Sequence, residues 1–187
     1  MKHFLHIGLG RLCNLSDFAS GKKYQLNYMS LLMNNPEWKI WACDCKYYTE
    51  SELQAIKESD WIEEFIHESI CVDWPDVSLF DKWDCVSVME HVKADEAELF
   101  VTKLRSKVTN NSEGYVHIDL SDHCGSTKKL KDREWARRYS EKKDERYDMY
   151  LNRISGNEWI EYFSKHFKFI IADNVPTYLK LMDVKPK

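Results

Sequence analysis

Two polar clusters in this chain carry residue types able to move protons: Glu90-His91, and Asp119 with Asp122-His123. Histidine titrates nearest neutral pH and can serve as general acid or base, while a neighbouring carboxylate orients it or the reacting group. Each cluster lies at the end of a short apolar run, 84–89 (DCVSVM) or 115–120 (YVHIDL), with the look of a strand covered on both faces. His91, His123 and Asp119 are therefore the candidates for catalysis, with Asp122 placed to bind substrate. Asp119, Asp122 and His123 are also metal ligands by type. Nothing else in the sequence calls for a metal, and none is expected. Other polar or glycine positions follow apolar runs in the same way: Gly8 and Gly10 after HFLHI, Asp44 after KIWAC, and Asp73-Trp74 after SICV.

For these residues to form one site, the runs before them must lie side by side and point the same way. In an open α/β sheet, ligands bind outside the carboxyl ends of the strands. The spacing predicts strands over 2–7, 39–44, 69–73, 83–89, 115–120, 167–172 and 178–183. Asp173-Asn174-Val175-Pro176 is short enough to join the last two as a hairpin. Helical stretches alternate with them. One covers 22–33. A second starts at a capping box, Thr49 with Glu52 three residues on, and uses Leu53, Ile56, Ile62, Phe65 and Ile66 as its apolar face, as one helix or two joined near Ser59-Asp60. Ala97, Phe100, Val101, Leu104 and Val108 mark a third, capped by Asp95. Ser155 and Glu158 box a fourth, striped by Trp159, Ile160, Phe163 and Phe167. The stretch 110–114 (NNSEG) reads as a turn. This alternation predicts an α/β fold: a Rossmann-like, mainly parallel seven-stranded sheet with a C-terminal antiparallel hairpin and helices on both faces.

Composition sets the outer bounds. With 187 residues, 43% hydrophobic and 31% charged, the chain suits one globular domain over 1–187. The segment 128–150 is the one plausible insertion: within 128–148, nine Lys/Arg face six Asp/Glu. It reads as a charged lid or a solvated helical face. A net charge of -4 argues against nucleic acid as a partner. No apolar run approaches membrane-spanning length, and a cytoplasmic location is the default expectation. Of six cysteines, Cys43, Cys71, Cys85 and Cys13 sit in or beside apolar stretches, and Cys43-Asp44-Cys45 lacks metal-ligand spacing. Reduced thiols are expected.

One stretch points to a family. Phe80-Asp81-Lys82-Trp83-Asp84-Cys85-Val86-Ser87-Val88-Met89-Glu90-His91-Val92 resembles the fourth-strand motif of class I S-adenosylmethionine-dependent methyltransferases, which ends in Glu-His-Val. The runs 117–123 and 150–154, with Glu158-Trp159, resemble a subgroup acting on small molecules or sugars. The resemblance implies S-adenosylmethionine as cofactor, with Gly8 and Gly10 shaping its turn and Asp44 accepting the ribose hydroxyls. It further implies Asp73 at the adenine amino group, Trp74 stacked on the ring, and Glu90 in the cofactor site. His91 or His123 would take the acceptor's proton, Asp119 or Asp122 would orient base or acceptor, and Arg153 would bind the acceptor. The family's first-strand motif reads acidic-x-Gly-x-Gly-x-Gly. Here His6 stands for the acidic residue and Leu12 for the third glycine.

Three readings follow. The first is methyl transfer from S-adenosylmethionine to a small-molecule acceptor, including sugar or nucleotide-linked ones, with a homodimer as one way for a short chain to close its site. The second is a catalytically silent methyltransferase-like domain that binds a partner. The third is a nicotinamide-dependent enzyme, because 7–13 (IGLGRLC) resembles a dinucleotide fingerprint with Cys13 in place of the final glycine.

Overall fold

A computed structural model describes residues 1–10, 15–21, 35–45, 48–74, 79–121, 152 and 154–187. Seven strands form one sheet: β1 (Lys2–Ile7), β2 (Trp38–Cys43), β3 (Glu64–Ile66), β4 (Phe80–Val86), β5 (Val108–Asp119), β6 (Phe167–Val175) and β7 (Tyr178–Pro186). Their order is β3-β2-β1-β4-β5-β7-β6. The first five pair parallel, and β7 runs antiparallel to both β5 and β6. The chain order reverses between β1 and β4, the switch point at which open sheets of this type bind ligands.

Among the described residues four α-helices accompany the sheet: α1 (Leu15–Ala19), α2 (Glu50–Lys57), α3 (Ala97–Lys107) and α4 (Gly156–His166). Both predicted capping boxes form, Thr49 with Glu52 on α2 and Ser155 with Glu158 on α4. Each satisfies backbone N–H groups that a helix start leaves without partners. Two apolar clusters use the strands' alternation. Phe4 joins Phe18, Ile40, Ile56 and Trp61, while Leu5 and Ile7 join Trp83, Phe100, Leu104, Trp159 and Phe163. The five apolar positions read from 97 to 108 are all buried, although Val108 already opens β5, and Glu96, with no side-chain cap bond, stands at the N-cap in place of Asp95.

Four predicted elements differ. The third strand is at Glu64–Ile66, not 69–73, and α2 stops at Lys57. Phe65 and Ile66 thus belong to the sheet and not to a helical face, because Ser59-Asp60 turns the chain and Trp61 plugs against Phe18, its indole N–H bonded to the Phe18 carbonyl at 2.8 Å. The fourth strand runs Phe80–Val86, three residues earlier than predicted, and 87–92 is a turn. The predicted turn at 110–114 lies inside β5. There Gly114 faces the Trp83 ring so closely that a Cβ would overlap it, and the indole occupies the room a side chain would take. The C-terminal hairpin forms as read, with both strands longer and Pro176-Thr177 at the turn.

Candidate functional site

Parallel registers bring the strand ends to one rim. Ile7 lies beside Cys43 and Cys85, Cys43 beside Ile66, and Val86 beside His117. Gly8, Asp44, His67, Ser87 and Asp119 consequently emerge together. Gly8 takes φ +88° and Gly10 φ +63°, a region that costs a side-chain-bearing residue energy. Their surroundings differ. A Cβ on Gly8 would run into Val88, so that glycine lets the exit of β4 pack against the turn; at Gly10 a Cβ would meet nothing within 4 Å, so the turn faces open space there.

Asp44 fastens this turn. Its Oδ2 accepts the backbone N–H groups of Leu9 (3.0 Å) and Gly10 (3.3 Å) and the Tyr48 hydroxyl (2.7 Å). Tyr48 is buried, its ring packed edge-on to Phe65 and His67. The sequence reading missed Tyr48; its spacing, four residues after a strand-ending carboxylate, is the available signal. At the position where the family carries an acid, His6 is almost fully buried, and its Nδ1 lies 2.6 Å from Asp84 Oδ1, directly opposite on β4. A carboxylate therefore reaches this level of the sheet from the neighbouring strand.

The Glu-His stretch forms a compact turn. Ser87 takes a left-handed φ of +53° and donates its N–H to the His117 carbonyl at 2.8 Å, after which Met89–His91 make one 3₁₀ turn. Glu90 is buried and His91 half-buried. Asn152 holds this turn from outside. Its side-chain amide donates to the carbonyls of Met89 and Val92, each at 2.7 Å, and its backbone N–H donates to the Glu90 carbonyl at 2.7 Å. Sequence reading assigned Asn152 no role, since only its distant partners reveal one.

Asp119 ends β5 half-buried and accepts the Ser121 N–H at 2.8 Å. On the same face, His117 is half-buried with its ring edge-on to Tyr178. Burial holds its pKa below the usual imidazole range, Lys180 pushes it further down, and Glu90 and Asp119 oppose the shift. A neutral imidazole within the field of Glu90 and Asp119 was not singled out by sequence, because only the β4–β5–β7 pairing puts it there.

Asp73 and Trp74 do not reach the rim through β3, which ends seven residues before Asp73. Asp73 is exposed and ion-paired to Lys103 of α3 at 2.6 Å. Trp74 donates its indole N–H to the Ser69 carbonyl at 3.1 Å and lies under the Lys107 ammonium, 4.3 Å from its ring centre. His67 is the residue that directly follows β3. Asp122, His123, Arg153, Cys13 and 128–150 lie outside the described residues. Among the described residues no cluster has the makings of a metal site, Cys43, Cys45, Cys71 and Cys85 are free thiols, and no helix is long and apolar enough to cross a membrane.

Sequence comparison finds no matching family model and no matching curated protein. Comparison of folds finds clear likenesses. A 1,6-didemethyltoxoflavin N1-methyltransferase of Burkholderia thailandensis, solved with bound 1,6-didemethyltoxoflavin and S-adenosylhomocysteine, matches at TM-score 0.58 and 13% identity over 99% of this chain and 71% of that one. The N-methyltransferase NodS of Bradyrhizobium japonicum, bound to S-adenosylhomocysteine, matches at 0.56 and 10%, covering 100% and 79%. A TehB-like S-adenosylmethionine-dependent methyltransferase of Corynebacterium glutamicum matches at 0.54 and 10%, covering 100% and 80%. The strand order, the reversed seventh strand and these likenesses agree: this chain has the fold of the class I S-adenosylmethionine-dependent methyltransferases.

Proposed function

We propose that the chain transfers a methyl group from S-adenosylmethionine to a small-molecule acceptor, with sugars and nucleotide-linked compounds as the first classes to test. The observation that carries this reading is the Asp44 carboxylate at the tip of β2, bonded to the glycine turn beside the open space at Gly10. An adenosyl group fits that arrangement: a carboxylate for ribose hydroxyls, and a backbone position at Gly10 with no side chain in the way of a ligand. When bound, S-adenosylmethionine supplies a methyl group activated by sulfonium. The chain's own work is to hold the acceptor in line and remove its proton. Asp44 and Gly10 hold the cofactor, and Glu90 lines its site. His91 or Asp119 accepts or orients the acceptor's proton, with the neutral imidazole of His117 a further acceptor at the same strand ends. Asp84, facing His6, sets a carboxylate on the neighbouring strand at the level where the family's first-strand acid stands. Asp122, His123 and Arg153 remain candidates for base and acceptor binding.

The test is calorimetric titration with S-adenosylmethionine, S-adenosylhomocysteine and NAD(H). Micromolar binding of the adenosyl pair, about -8 kcal/mol, is expected. Absence of such binding would turn the assignment to a silent, partner-binding domain, a reading that the departures at His6 and Leu12 favour. Binding of NAD(H) alone would overturn both.

A further inference from the structure

Strand β6 closes the sheet at one side, with no strand beyond it among the described residues. It is nine residues long and free of proline. Exposed large apolar side chains concentrate here: of the eight on the described surface, Ile170, Ile171 and Val175 lie on β6 and Met182 beside them on β7. A long apolar edge offers a row of main-chain donors and acceptors to any strand that fits it, and proteins normally blunt such edges. The opposite edge, β3, has three residues and offers no comparable template.

We propose that this edge pairs with the β6 edge of a second copy of the same chain, antiparallel about a two-fold axis through Ile170. The register follows from the strand itself. Ile171 pairs with Leu181 and Asp173 with Lys180, so two steps along β6 match one along β7 and Ala172 is the extra, bulged residue. Directly opposed residues of an antiparallel pair share a face of the sheet. The bulge returns Asp173 to the face of Lys168 and Ile170. Centring the axis on Ile170 then sets Ile170 against its own copy and Phe169 against Ile171. Past the bulge it sets Lys168 against Asp173, twice by symmetry. Isologous contacts of this kind require a self-complementary patch, and here apolar residues meet at the centre with opposite charges at both ends. Asp173 already has Lys180 at 3.8 Å on its inner side, so the partner's lysine would complete a row of alternating charge.

Sedimentation equilibrium of the purified full chain, from micromolar to several hundred micromolar, tests this. A concentration-dependent dimer is expected. Ile170→Lys places two ammonium groups on the axis at a position 57% exposed in the monomer, and should weaken dimerisation at least tenfold while leaving the monomer's thermal midpoint, read below the concentration at which dimer forms, unchanged. Lys168→Asp should weaken it by about tenfold through two like-charge pairs, and Lys168→Asp combined with Asp173→Lys should restore it. A chain that stays monomeric throughout overturns the proposal. So does a dimer that all three variants leave intact, or a double variant no better than Lys168→Asp alone. None of these readouts involves cofactor or acceptor, so the outcome is independent of the methyltransferase assignment.

Discussion

Gly8 and Gly10 show why a motif must be read one residue at a time. Both adopt left-handed backbone, but only Gly8 has a neighbour in the space of a Cβ. Gly8→Ala should therefore destabilise the fold by about 2–4 kcal/mol, part from φ and part from overlap with Val88. Val88→Ala in the same chain should recover the overlap and leave roughly 1 kcal/mol, as read by urea denaturation. Equal stability of single and double variants would show that Val88 is not the obstacle. Asp44 combines two tasks, since it fastens the turn and presents a carboxylate at the rim. Asp44→Asn keeps the shape and removes the charge. Adenosylhomocysteine affinity should fall by roughly ten- to a hundredfold, about 1.4–2.7 kcal/mol, with only a small loss of stability. Unchanged affinity in the calorimeter would remove Asp44 from the cofactor site.

At the level of elements, what could be read from sequence depended on whether a segment's partners were local. Capping boxes are complete within four residues, so both helix starts were legible. The apolar positions of α3 likewise report a single buried face. The third strand was misplaced because a three-residue strand is too short for a period, and Ile62, Phe65 and Ile66 fit helical spacing as well as they fit a strand. The Glu-His turn was legible as chemistry but not as geometry: the strand stops at Val86, and what fixes the following turn is Asn152, sixty residues later. Asn152→Ala removes two side-chain donors from the Met89 and Val92 carbonyls and the acceptor of the Ile154 N–H. A loss of about 1–3 kcal/mol is expected in urea denaturation. If the turn seats the cofactor, adenosylhomocysteine affinity should fall too, whereas Ser155→Ala, which weakens the start of α4 by about 1 kcal/mol, should leave affinity unchanged. Equal effects of the two variants on affinity would mean that the turn is only scaffold.

Across the whole molecule, the sheet order gathers residues that no local pattern connects. Glu90 on a turn, Asp119 at the end of β5 and Lys180 on β7 come together around His117, which only this topology makes one group. The consequence is a pH dependence of folding. His117 has a folded-state pKa below its unfolded value, about 6.5, because burial and Lys180 disfavour the imidazolium more than Glu90 and Asp119 favour it. Between those two values the unfolded chain binds more protons than the folded one. Stability must therefore rise with pH through this window. His117 costs nothing above about pH 6.5, and it destabilises the fold increasingly as pH falls from there toward the lower folded-state value. Replacing Lys180 by Met removes the cation and should shrink the window; His117→Gln, neutral throughout, should abolish this component. Thermal midpoints from pH 7.5 to 5 are the measurement. The wild-type chain should lose more stability on acidification than His117→Gln, with Lys180→Met between them. The described carboxylates with lowered pKa, Asp73 and Glu158, would lose their stabilising partners at lower pH, so a difference confined to the region just below pH 6.5 belongs to the imidazole. Parallel curves for wild type and His117→Gln would show that His117 titrates as it does in the unfolded chain, and would withdraw it as a neutral proton acceptor at the rim.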